Sequence, residues 1–159
     1  MNRAKKLSIA FGLLTGLLLL GPGRALASDY PLENVLPKEA AEKLAKQGVT
    51  TTAQLLEKGA TRKARKQLAK ATALKGKQLL EWIQMSDVVR IKGVGPEMSK
   101  LLRAAKVRTV KKLRRQKAKG LLARMLKANK KAKISQNPPN EAQVSHWIGL
   151  AKKLAIVLK

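Results

Sequence analysis

Two closely spaced glycines near the middle of the chain are the residues whose types and spacing could do chemistry. Gly93 and Gly95 flank Val94, directly before a helix that we expect to open with Pro96. Glycine adopts positive φ easily, so the N–H groups of such a turn can point into one concavity that holds an anion. The following helix adds the positive end of its dipole. The turn is therefore a candidate phosphate-binding site.

Basic side chains surround this turn. Lys92 precedes it, and Lys100 and Arg103 follow one and two helical turns downstream. Between Glu97 and Glu141 the chain has no acidic residue but fifteen basic ones. They are Lys100, Arg103, Lys106, Arg108, Lys111, Lys112, Arg114, Arg115, Lys117, Lys119, Arg124, Lys127, Lys130, Lys131 and Lys133. The predicted nucleic-acid-binding residues are Lys92, Gly93, Val94, Gly95, Lys100, Arg103, Lys111, Lys112, Arg114 and Arg115.

The overall charge indicates the class of partner. The 159 residues include 35 Lys and Arg against 9 Asp and Glu, a formal net charge of +26. A solvated charged face normally intersperses both signs, and here self-repulsion costs stability unless an anion relieves it. We therefore predict a polyanion partner, which could be nucleic acid, anionic lipid or acidic polysaccharide.

Residues 1–27 have the pattern of a secretory signal peptide. A positively charged start precedes an apolar run over residues 7–20, and Ala25-Leu26-Ala27 forms a small-x-small cleavage sequence before Ser28. The run of 14 residues is shorter than the ~20 that a transmembrane helix needs. We expect an exported protein, periplasmic or extracellular after cleavage. An uncleaved anchor is the alternative.

The remaining sequence predicts an all-α fold, because apolar residues recur at helical spacing and no stretch alternates with period two. We expect a first helix after Pro37 that is closed by Gly48, a second capped by Thr50 or Thr51, and a third capped by Thr61. A fourth is expected over residues 76–85, and a last one capped by Asn140 and running through Leu158.

The chain has the pattern of an internal duplication. A shift of 58 positions superimposes several apolar and threonine residues, and a Trp-Ile pair recurs at a shift of 65. The predicted units are residues 28–87 and the strongly basic residues 88–159. The matched residues are Leu44 with Leu102, Val49 with Val107, Thr51 with Thr109, Leu55 with Leu113, and Trp82-Ile83 with Trp147-Ile148.

The turn around Gly93 resembles the helix-hairpin-helix motif, which it matches at Ile91, Gly93, Val94, Gly95 and Ser99. Residues 32–154 also resemble the DUF4332 family of tandem helix-hairpin-helix proteins. That resemblance rests on residues 48–52, 55–56, 58–61, 85–87, 90–95, 138–139, 143–144 and 147–148. It implies a compact helical fold of two degenerate helix-hairpin-helix units and a sequence-independent grip on the backbone of duplex DNA.

The first unit departs from the motif. Val35-Leu36-Pro37 occupies the place of the Gly-x-Gly turn under the 58-residue shift. Proline lacks an N–H donor and valine resists positive φ, so we expect no phosphate at this turn.

Catalytic residue types are scarce. The chain has no cysteine, its single histidine is His146, and its carboxylates have no metal-ligand or acid–base spacing. We expect neither enzymatic activity nor a metal or cofactor. Trp82 and Trp147 lie on apolar helical faces, which favours roles in the core. Two other functions stay open: a cationic protein that binds anionic envelope lipid or polysaccharide, and a helical protein–protein adaptor.

Overall fold

Eight α-helices and one short 3-10 helix make up residues 28–159, the part of the chain described by the computed structural model. The proposed signal peptide lies outside the described residues. The 3-10 helix spans Leu32–Asn34, and the α-helices are α1 Lys38–Ala45, α2 Thr52–Lys58, α3 Arg62–Thr72, α4 Gly76–Val89, α5 Pro96–Ala104, α6 Val110–Leu113, α7 Ala118–Ala132 and α8 Glu141–Lys153. Pro31 and Thr51 of this part form an isolated antiparallel β-bridge. The predicted all-α class is confirmed.

Side-chain caps fix where four of the helices begin. Thr51, Thr61, Thr109 and Asn140 each accept a hydrogen bond from the backbone N–H three residues later. At Thr51 and Asn140 a glutamine three residues on also bonds back to the cap, which completes a capping box. The predicted caps at Thr51, Thr61 and Asn140 are therefore confirmed.

Two helices end elsewhere than predicted. Helix α4 continues beyond residue 85 to Val89, because Val88 and Val89 extend its buried face. Helix α8 stops at Lys153, and the predicted extension through Leu158 is wrong. Residues 154–159 instead run back over the first half of the chain, where the N–H of Lys159 donates to the Ala60 carbonyl at 3.1 Å.

The core consists of two hydrophobic clusters, one in each half of the chain. Leu44, Leu55 and Ile83 lie in the first, and Leu101 and Trp147 lie in the second. Helix α4 of the first half packs against α5 of the second half and thereby connects the two clusters. Trp147 is only 4% exposed, and Trp82 is half-buried against the first cluster. Trp147 thus has the core role that its helical face favours, whereas Trp82 lies at the edge of the first cluster.

The two halves begin their helices at matching positions. Helices α5 and α6 start 58 residues after α1 and α2, and α8 starts 65 residues after α4. These offsets equal the two sequence shifts. The second half can therefore be compared position by position with the first over α1–α2 and α5–α6.

Candidate anion-binding site

The turn between α4 and α5 places one glycine in a conformation that other residues avoid. Gly93 has φ +88°, whereas Gly95 has φ −80° and ψ −179° and forms the N-cap of α5. The sequence pattern allowed positive φ at both glycines, and only Gly93 adopts it. Gly95 is extended, so its backbone requires no glycine.

Several backbone donors of this turn have no acceptor within residues 28–159. They are the N–H groups of Gly93, Gly95, Glu97 and Met98. The last two belong to the first turn of α5, where helical geometry provides no intrahelical acceptor. Lys92 and Gly93 are exposed, so the turn is open to solvent. Together these groups form a set of unpaired donors at the positive end of a helix dipole, beside the exposed residues Lys92 and Gly93.

Val94 does not belong to this set. Its side chain is fully buried in the second hydrophobic cluster, and its N–H donates to the Ile91 carbonyl at 2.8 Å. Among the predicted site residues it therefore anchors the turn instead of facing a ligand. Ser99 closes the adjoining helical turn, because its Oγ donates to the Pro96 carbonyl at 2.6 Å.

Trp147 of α8 packs directly beneath Gly93. Its indole Nε1 lies 3.0 Å from the position that a Cβ on Gly93 would occupy. Gly93 is thus required for close packing as well as for positive φ. The hydroxyl of Tyr30 approaches the Cβ position of Gly95 at 3.8 Å. The sequence does not predict that the Trp147 indole N–H or the Tyr30 hydroxyl approaches the turn. The recurring Trp-Ile pair is the only related signal, and it favours a core role for Trp147.

The predicted cations differ in their availability at the turn. Lys92 and Lys100 are exposed and have no ion pair in the described part of the chain. Arg103 instead pairs with Glu81 of α4 and donates to the Gln84 side chain at 3.2 Å. Glu81 largely compensates the charge of Arg103. Because both partners lie on α4, these contacts connect α5 to α4.

Other predicted cations lie on or just after α6. Lys111, Lys112 and Arg115 are exposed, and Arg114 is half-buried. Lys112 and Arg115 line a separate cleft at the carboxyl end of α5. The nine residues of α5 span about 14 Å, so this cleft is about one helix length from the turn.

A buried carboxylate fixes the helices around the turn. Asp87, only 2% exposed, accepts the Val110 N–H at 2.8 Å and pairs with Arg90 at 2.9 Å. Burial raises the pKa of Asp87, although the Val110 N–H and the Arg90 guanidinium partly oppose that rise. Arg90 also donates to the Ala155 carbonyl at 2.9 Å. This network joins α4, α6 and the carboxyl-terminal tail.

The corresponding turn of the first half satisfies its own donors. The N–H groups of Val35 and Leu36 both donate to the Leu32 carbonyl, at 3.1 and 2.8 Å. Pro37, which has no N–H, forms the N-cap of α1. Equivalent positions in the two halves thus differ in how many donors they leave open.

The described part of the chain shows no other site type. Among residues 28–159, no three or more histidine, cysteine or acidic side chains are grouped so that they could hold a metal ion. No α-helix in that range has the length and apolar character needed to cross a membrane.

Comparison with known proteins shows the family of the chain. The model of the family described as "Domain of unknown function (DUF4332)" matches residues 34–154. The chain belongs to this family. No curated protein and no solved structure matches the chain.

Proposed function

We propose that this DUF4332 protein binds the phosphate backbone of duplex DNA without base preference, through the turn at residues 92–95, the first turn of α5 and the basic surface of the second half. One observation carries the proposal. Gly93, Gly95, Glu97 and Met98 present N–H groups that no acceptor within residues 28–159 satisfies, in an exposed turn at a helix N-terminus.

Phosphate is the ligand that fits these donors. Backbone N–H groups at a helix N-terminus bind anions through hydrogen bonds and the helix dipole together. Lys92 adds charge at the turn, and Lys100 adds charge farther along α5, where it lines the pocket between α4 and α5; neither has an ion pair in the described region. Contacts of this kind hold a duplex by its backbone and read no base sequence. Glu97 is the opposing feature, and its exposed carboxylate can rotate away from a ligand that its own N–H contacts.

Export is part of the proposal. Residues 1–27 would be removed before Ser28, which leaves all nine acidic residues and all but four of the basic ones. The exported protein would keep its excess of positive charge. Amino-terminal sequencing of the protein recovered from cells should begin at Ser28, and an intact amino terminus would contradict cleavage.

The decisive experiment removes one donor and preserves the backbone. Gly95→Pro deletes the Gly95 N–H, its φ of −80° is accessible to proline, and the first half has Pro37 at this position. Gly95→Ala is the matched control, because it keeps the N–H and its Cβ would meet only the Tyr30 hydroxyl at 3.8 Å. Duplex binding is measured for each variant by fluorescence anisotropy from 0.05 to 0.3 M salt.

The proline variant should bind duplex about tenfold more weakly, because it loses one hydrogen bond to a charged phosphate. Its slope of log K against log salt should change little, because the deleted donor is neutral and the slope counts phosphates neutralised by Lys and Arg. The alanine variant should match the parent. Equal binding by all three proteins would exclude the turn as a phosphate site. Parallel titrations with heparin and anionic vesicles test the envelope alternative, which predicts tight binding there that is insensitive to Gly95→Pro. If the protein binds none of the three polyanions, the result would favour the protein–protein adaptor role.

A further inference from the structure

The carboxyl end of α5 contains a lysine where its counterpart in the first half has glycine. Helix α1 ends in a Schellman motif in which Gly48, at φ +68°, donates to the Ala45 carbonyl and the next N–H donates to Leu44. Helix α5 ends in the same motif with Lys106 at φ +66°. A side chain at this conformation is strained, and glycine avoids that strain.

A second local stabiliser is also absent from the second half. In α2, Gln54 completes a capping box with Thr51. The equivalent residue of α6 is Lys112, whose N–H is bound by Thr109 but whose side chain cannot accept the reciprocal bond. At both positions the residue that stabilises the backbone in the first half is replaced by a lysine.

These two lysines line one cleft. It has a volume of about 420 Å³, and Arg115 and Arg124 contribute two further cations to its wall. No carboxylate lines the cleft, and none of the four cations has an ion pair within the described residues. The corresponding positions of the first half, Gly48, Gln54 and Glu57, match Lys106, Lys112 and Arg115 and carry no positive charge.

Neutral groups of the described chain hold Arg124 in place, and no ion pair of Arg124 is found there. Its guanidinium donates to the carbonyls of Ala105, at 3.4 Å, and Gly120, at 3.1 Å, and to the side chain of Gln116. All three acceptors are neutral. Guanidinium has five N–H donors, so donors remain for a ligand. A positioned guanidinium beside three flexible cations is suited to a phosphate group, which it can bind through two parallel hydrogen bonds.

We infer that this cleft is a second phosphate-binding site, which takes a backbone phosphate of the same DNA duplex that the turn binds. The inference rests on the proposed function for the identity of the polymer. The two sites are about one α5 length apart, roughly 14 Å, which corresponds to about four base pairs along a duplex strand. One duplex can therefore contact both. Strain at Lys106 and the incomplete cap at Lys112 are local costs of placing charge in the cleft.

The test uses the residues of the first half. Lys106→Gly/Lys112→Gln relieves the positive-φ strain and allows a capping box at Thr109, so the double variant should be more stable than the parent, with Tm higher by about 3 °C. The slope of log K for duplex binding against log salt should fall in magnitude by about 0.9, the contribution of the one phosphate that the cleft is proposed to neutralise. The control, Lys63→Gln/Lys66→Gln, removes the same charge from exposed positions of α3 in the first half and should change the slope much less.

Inorganic pyrophosphate serves as a probe that needs no DNA. It should raise the Tm of the parent and of the control pair more than that of the cleft variant. Equal slopes and equal pyrophosphate protection in the two double variants would overturn the inference, as would a cleft variant less stable than the parent. A failure of the proposed function can be distinguished from a failure of this inference. In that case Gly95→Pro would bind duplex as well as the parent does, whatever the result with the cleft variant.

Discussion

Gly93→Ala tests whether the turn is built around Trp147. The substitution places a Cβ on a residue with φ +88°, a conformation that costs an L-amino acid about 1 kcal/mol or more. The same Cβ would lie 3.0 Å from the indole Nε1 of Trp147, closer than ordinary van der Waals contact. Overpacking of this kind adds about 1–2 kcal/mol, since Trp147 is buried in a packed core. The expected loss of unfolding free energy is therefore about 2–3 kcal/mol.

Two other glycines provide internal controls. Gly48→Ala faces a similar φ, +68°, but its Cβ would have no atom within 4 Å, so only strain is expected, about 1 kcal/mol. Gly95→Ala has neither the positive φ nor the close contact and should be near neutral. Urea unfolding followed by far-ultraviolet circular dichroism measures all three variants.

The contribution of the indole can be isolated with a double-mutant cycle. In a Trp147→Phe background the Nε1 atom is absent, so Gly93→Ala should cost about as little as Gly48→Ala, with a coupling of about 1–2 kcal/mol. The reasoning is refuted if Gly93→Ala costs no more than Gly48→Ala in the parent, or if the cycle shows no coupling. Either result would mean that Trp147 does not restrict the residue at position 93.

Three further predictions concern buried groups. Asp87→Ala should cost about 3 kcal/mol in urea unfolding, because it leaves the Val110 N–H and the Arg90 guanidinium without their carboxylate, and a loss below ~1 kcal/mol would contradict this role. Burial raises the pKa of Asp87 above its unfolded value, so the folded state binds the proton more tightly than the unfolded state does. The parent should therefore gain stability relative to Asp87→Asn as pH falls from 7 to 4, and a constant difference would exclude the shift. Gly59→Ala should cost about 2 kcal/mol, because its Cβ would overlap the Ile83 side chain, and Ile83→Val should reduce that cost; additive losses would argue against the contact.

The sequence predicts helix starts well because their signals are local. Thr51, Thr61 and Asn140 each bond to an N–H three residues away, so neighbouring residues decide the cap. The end of α8 has no such signal. Residues 154–158 are apolar and continue the helical pattern, and only contacts with distant residues, such as Arg90 with the Ala155 carbonyl, turn the chain away.

The candidate site was predictable only where backbone chemistry defined it. The Gly-x-Gly pattern locates the turn, but glycine permits both signs of φ, so the pattern cannot distinguish Gly93 from Gly95. The pairing of Arg103 with Glu81 joins residues 22 positions apart and has no sequence signature. The strain at Lys106 becomes visible only when the conformation of Gly48 is known.

The comparison between halves separates the needs of the fold from other demands on the second half. At three matched positions the first half has the residue that local stability favours: proline at the N-cap of α1, glycine in the Schellman motif, and glutamine in the capping box. The second half has Gly95, Lys106 and Lys112 instead, on matching helices. Each replacement loses local stability and adds a backbone donor or a cation facing solvent. All three changes oppose local stability and increase the capacity to bind an anion, so the fold alone does not account for them, whereas the proposed phosphate binding would.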